Sequence, residues 1–122
     1  MIVNPPDLPE PIGFAHAVVA GGAVYLGGQI GDGDSVVEQF DSAASKLVTA
    51  LRAAGGEPDD LVSLVIYVTD VDEYRRSLSE LGAVWRRRFG RRYPAMALVG
   101  VAALFEPEAK VELMGVAVLP DA

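Results

Sequence analysis

The amino-acid sequence predicts an α+β fold in the order β-β-α-β-α-β-β, with two helices on one face of a mixed sheet. Three observations carry this expectation. Branched apolar runs of strand length alternate with two stretches whose apolar residues recur at i, i+3, i+4 and i+7. The glycine pairs at 21–22 and 55–56 and the prolines fall between these segments. Two helices cannot cover both sides of such a sheet, so an apolar face is left over, the usual mark of an interface between copies of a chain.

Residues 1–12 (MIVNPPDLPEPI) hold four prolines and read as an extended lead-in. Phe14–Ala20 and Ala23–Ile30 flank Gly21-Gly22, the pattern of a tight hairpin. An acidic loop, GDGDS, follows. From Val37 to Ala54, Phe40, Ala43, Ala44, Leu47, Val48, Leu51 and Ala54 share one helical face, and Gly55-Gly56 ends the helix. Leu61–Val68 is a strand of branched residues. Asp70 with Glu73 predicts a capped start for a second helix, which turns Tyr74, Leu78, Leu81, Val84 and Trp85 inward and runs to Phe89. Pro94 stops it. Met96–Leu104 and Val111–Leu119 are apolar at nearly every position, predicting two strands buried on both faces around a turn at Phe105–Ala109. Gly100 and Gly115 mark close backbone approach. Residues 1–122 are expected to form a single domain.

Composition excludes several functions. Hydrophobic residues make up 51% of the 122 and charged residues 22%, enough apolar content for a core and too much for disorder. A net charge of −7 disfavours general binding to a phosphate backbone. With no cysteine and only His16, disulfides, thiolate nucleophiles and multi-histidine metal sites are removed together, and no cofactor is expected. No apolar run reaches the roughly 20 residues of a membrane helix. Residues 1–10 lack the basic start and apolar stretch of a secretory signal, so a cytoplasmic location without membrane partners is expected.

Four segments carry a resemblance. They are GFAHAVVAGGAVYLGGQIG (13–31), Gln39 with the helix end LRAAGG, DLVSLVIYVTDVDEY (60–74) and YPAMALVGVAALFEPEAKVELMGVAV (93–118). In this order and spacing they resemble the Rid/YjgF family of enamine/imine deaminases over residues 12–119. The resemblance implies a chorismate-mutase-like fold and a homotrimer that binds a small molecule in clefts between subunits. In deaminating members an arginine after the proline-alanine pair grips the substrate carboxylate. A glutamate on the last strand positions the attacking water, and a tyrosine near the first strand lines the cleft.

Residue by residue, the match keeps the glutamate as Glu112. The tyrosine position holds Phe14, and the arginine position after Pro94-Ala95 holds Met96. Gly28, Met96, Ala97 and Leu98 are the further expected substrate contacts. A thioether cannot replace a planar guanidinium with two parallel donors, worth about 1.5–3 kcal/mol per charge-assisted bond. Deaminase activity on 2-imino acids is therefore expected to be weak or absent. The alternative is an active deaminase in which Arg91 or Arg92 serves the carboxylate.

Each residue also has a plain structural reading. Glu112 is either a desolvated carboxylate suited to activating water or a solvated residue at a strand start beside Lys110. Phe14 suits core packing as well as ligand stacking, and Met96 suits a subunit boundary as well as a pocket. His16, alone on its strand, reads as a hydrogen-bonded structural residue. The run WRRRFGRRY (85–93) places five arginines among aromatics, as single-stranded nucleic-acid sites do. Its position at a helix C-terminus and the negative net charge favour a solvated helix end over an RNA-binding or ribonuclease module.

Overall fold

The computed structural model describes residues 1–120. Six strands form one mixed sheet: β1 (Ile2–Val3), β2 (Ala17–Ala20), β3 (Ala23–Ile30), β4 (Leu61–Val68), β5 (Ala95–Gly100) and β6 (Val111–Val118). Their spatial order is β1-β2-β3-β6-β4-β5. All neighbours are antiparallel except β4 and β5, which are joined through helix and run parallel. Three helices complete the chain, α1 (Val36–Ala53), α2 (Val71–Arg76) and α3 (Leu78–Phe89), with a single 3-10 turn at Pro58–Asp60.

Local chemistry accounts for the boundaries. Gly21 and Gly22 both take positive φ, +57° and +79°, which a two-residue hairpin turn needs to match the twist of its strands. Ser35 caps α1: its hydroxyl accepts the Glu38 N–H while the Glu38 carboxylate accepts the Ser35 N–H. The apolar stripe of α1 packs on β3 and β6 and against α3. Phe40, Leu47 and Leu51 from α1 meet Val24, Leu26, Leu64 and Leu113 from the sheet in one core. Along β6, Val111, Leu113, Gly115 and Ala117 face that core, while Glu112, Met114, Val116 and Val118 face the uncovered side.

Five expectations need correction. The second helix is broken in two at Ser77, whose hydroxyl donates to the Glu73 carbonyl at 2.9 Å and competes with the helical ladder. The first hairpin strand begins at Ala17 rather than Phe14. The lead-in is not merely extended: Ile2 and Val3 pair with Val18 and Ala17, and the Asn4 side chain takes the His16 N–H. The run from Met96 stops being a strand after Gly100, because its partner β4 ends at Val68 and the Val101 N–H makes the last bond, to the Val68 carbonyl. Neither late strand is buried on both faces in one chain. β5 is a sheet edge exposed along its whole length, and β6 alternates.

Gly115 marks a close approach inside the chain. A Cβ there would sit 2.7 Å from the Ser63 carbonyl oxygen, which belongs to the neighbouring strand and cannot turn aside. Gly115→Ala is expected to cost about 1–3 kcal/mol in denaturant unfolding, as overpacking typically does.

Candidate functional site

The site grows from an irregularity in β3. The β3–β6 register shifts between Leu26 and Gln29, so Gly27 and Gly28 sit in a bulge. The Glu112 side chain lies directly over Gly28: a Cβ on Gly28 would strike its carboxylate, 2.9 Å from Cδ and closer still to Oε2. In register, Glu112 stands between Ile30 and Tyr67 on the uncovered face. The bulge and the bare glycine together hold this half-buried carboxylate at the wall of a cleft of about 760 Å³. Its lining includes the acids Glu10, Glu106 and Glu112 and the apolar side chains Ile12, Phe14 and Phe105.

An adjoining cleft of about 540 Å³ has buried His16, Gln29 and Gln39 in its lining. The Pro9 carbonyl can only accept, so His16 Nε2 carries the proton and donates to it at 2.7 Å. Nδ1 then accepts from Gln29 Nε2 at 2.9 Å. The Phe14 ring meets His16 edge-on, 5.4 Å between centroids. His16 therefore anchors the lead-in, which supplies Glu10, Ile12 and Phe14 to the cleft wall.

The opposite wall, the loop between β5 and β6, is held by Gln39 and Lys110. Gln39 Nε2 donates to the Gly33 and Glu108 carbonyls at 3.0 and 3.1 Å, and its Oε1 accepts the Lys110 N–H at 2.7 Å. Lys110 Nζ donates to Glu73 Oε1 at 2.9 Å, while Glu73 Oε2 accepts the Val36 N–H at the start of α1. The Lys110 ammonium, helped by that N–H and opposed by burial, holds the Glu73 carboxyl below its ordinary range.

Phe14, Gly28 and Glu112 thus come together. Met96, Ala97 and Leu98 do not line this cleft within one chain. Met96 and Leu98 pair with Leu64 and Ile66, placing them on the helix side of the sheet edge, where they remain 43% and 39% exposed. Ala97 pairs with Val65, and Val65 with Met114, so it shares the face of Glu112. Arg91 and Arg92 are exposed and outside the cleft, and the Arg92 carbonyl accepts the Trp85 indole N–H. In the arginine run, Arg88 and Arg87 bind Asp41 at 2.6 and 3.1 Å, and Trp85 stacks on Tyr93. Sequence reasoning missed Glu10, Phe105 and Glu106, which lie far apart in the chain and in segments read as lead-in and turn. Among the described residues no cluster of His, Asp and Glu is arranged to hold a metal ion, and no helix is long and apolar enough to cross a membrane.

A sheet covered by helices on one side, with a carboxylate-bearing cleft on the other, defines a small α+β protein of chorismate-mutase-like fold. A family model described as Endoribonuclease L-PSP matches residues 8–119, and the chain belongs to that family, the Rid/YjgF proteins. The chain is similar to a 2-iminobutanoate/2-iminopropanoate deaminase from Dermatophagoides farinae, 28% identical over an alignment of 127 positions that covers 97% of this chain and 95% of that protein. Among solved structures, Rv2704 of the YjgF/YER057c/UK114 family from Mycobacterium tuberculosis is 34% identical, with a TM-score of 0.78 over 88% of each chain. RidA from the Antarctic bacterium Psychrobacter is 25% identical, with a TM-score of 0.85 over 98% of this chain and 99% of that one.

The depressed Glu73 carboxyl has a signed consequence. Its ion pair stabilises the fold fully above the ordinary value of 4.5, and this contribution drains away as the pH falls below 4.5. Asp41, lowered chiefly by its bond to Arg88, adds to the same acid limb. Lys110→Met is expected to reduce stability at neutral pH and flatten the loss below pH 4.5, measured as unfolding midpoint against pH.

Proposed function

We propose that the chain binds a small metabolite in clefts between the subunits of a homotrimer, and that its turnover of 2-imino acids is weak or absent. One observation carries this reading: the cleft holding Glu112 has no Lys or Arg among the described residues that line it, while Met96 stands where deaminating relatives are expected to place the carboxylate-binding arginine. Glu112 is positioned over Gly28 to hold a water by its carboxylate. In a competent deaminase that water adds to the imine carbon, the carbon–nitrogen bond then breaks, and a carbonyl compound and ammonia leave. Here the water-holding group is present and the group that would orient an acid substrate is missing.

Support for assembly comes from the sheet. β5 is exposed at every residue, and Tyr25, Met114 and Val118 add large exposed apolar side chains on the uncovered face. With Met96 and Leu98 bare at one edge and Glu112 in a cleft elsewhere, a neighbouring copy supplies the former to the latter. Light scattering is expected to give the mass of three chains. The double variant Val99→Asp, Met114→Asp is expected to give monomers, and a monomeric unmodified protein would refute the assembly.

Activity is tested by generating 2-iminopropionate in situ and following its hydrolysis. The unmodified protein is expected to accelerate it little. Met96→Arg should raise the rate by about tenfold or more, the equivalent of one charge-assisted bond, and adding Glu112→Gln should abolish that gain. Rapid hydrolysis by the unmodified protein, lost in Glu112→Gln, would establish the active-deaminase reading instead.

A further inference from the structure

The cleft beside Glu112 has a one-signed lining. Glu10, Glu106 and Glu112 all contribute to it, with no Lys or Arg among the described residues that line it. The adjoining cleft adds Asp32 and Glu108 and a single cation, Lys46, whose ammonium is already 3.5 Å from Asp32. The three carboxylates are also uncommitted. Elsewhere six basic residues pair with Asp32, Asp41, Glu57, Asp72 and Glu73, while among the described residues Glu10, Glu106 and Glu112 enter no ion pair.

A second, independent feature lines the same cleft. Phe14 and Phe105 line the same space, 55% and 95% exposed, alongside exposed Ile12. An aromatic ring face attracts a cation through its quadrupole, and phenylalanine left so bare in water gains from being covered. Carboxylates and aromatic rings lining one cleft form a surface suited to an ammonium and hostile to an acid.

We infer that the ligand of this cleft is a cation, an ammonium or iminium head on a small apolar body, rather than an imino acid. The inference rests on the reading of the Glu112 cleft as the ligand site and adds the sign of the ligand. An adjoining subunit leaves that sign unchanged where it presents β5, since residues 95–100 (AMALVG) carry no charge. The head group sits among the carboxylates and the apolar body covers Phe14 and Phe105.

Benzylammonium, benzyl alcohol and benzoate share one ring and differ in charge, and each is titrated into the assembled protein while backbone amide resonances are followed. Benzylammonium is expected to shift Gly27, Gly28 and Glu112 and to bind about tenfold or more tighter than benzyl alcohol, and benzoate should leave them unmoved. Raising the salt concentration should erode the advantage, because Glu10 and Glu106 are exposed and screened. The double variant Glu10→Gln, Glu106→Gln, both at exposed positions, should keep its unfolding midpoint and lose most of the preference. Benzoate binding as tightly as benzylammonium, or a preference untouched in the double variant, would overturn the charge assignment and leave the cleft standing. Absence of any cleft shift with all three probes would remove the cleft as the ligand site as well.

Discussion

Burial of Val111, Leu113 and Ala117 beneath α1 decides where Glu112 points. In a strand, successive side chains take opposite faces, so committing these residues to the core commits Glu112, Met114 and Val116 to the other side. A slip of one residue would put the carboxylate under the helices and three apolar side chains into water. The register is secured on both flanks, by β3 through Ile30 and by β4 through Tyr67. The candidate site is therefore a by-product of one-sided burial: the helices fix what is inside, and the chemistry occupies the remainder.

The walls of the cleft are loops, and loops lack a ladder to hold them. Buried polar side chains take over that task. His16 ties down the lead-in by accepting from Gln29 and donating to Pro9. Gln39 spends its amide on three backbone groups from two loops. Satisfied networks of this kind give position as well as stability, because each member has few alternative partners. Glu73 extends the scheme by joining Lys110 to the first free N–H of α1, so the β5–β6 loop, α1 and α2 are fastened at one carboxylate.

Much of this was legible in the residues. The spacing of Phe40, Ala43, Leu47 and Leu51 located α1 within a residue of its observed limits, and Leu61–Val68 matched β4. The glycine pair gave the hairpin. Failures came where tertiary partners outweighed local pattern. One failure was local instead: Ser77 sits amid good helical spacing, yet the run is interrupted there, where its hydroxyl bonds back to the Glu73 carbonyl and its N–H to the Tyr74 carbonyl. The run from Met96 to Leu104 is uniformly apolar, yet the length of β4 decides where pairing ends. Apolar continuity suggested cover on both faces, whereas one chain leaves β5 bare. At the candidate site, Glu112, Gly28 and Phe14 came from the resemblance. Glu10 and Glu106 were invisible because 96 positions separate them and only the anchored lead-in and the β5–β6 loop bring them to one cleft.

The bare edge has a cost during synthesis and turnover of the protein. β5 offers six consecutive uncharged residues, AMALVG, with one row of backbone donors and acceptors unmatched in the isolated chain. Most sheet proteins guard such a margin with lysine, proline or a twist, and none of the six residues is charged or a proline. A newly made copy is thus a template for cross-β stacking until something docks against it. In the proposed trimer, quaternary contact would double as a safeguard against aggregation, and a substitution that loosened it would threaten solubility before it touched ligand binding.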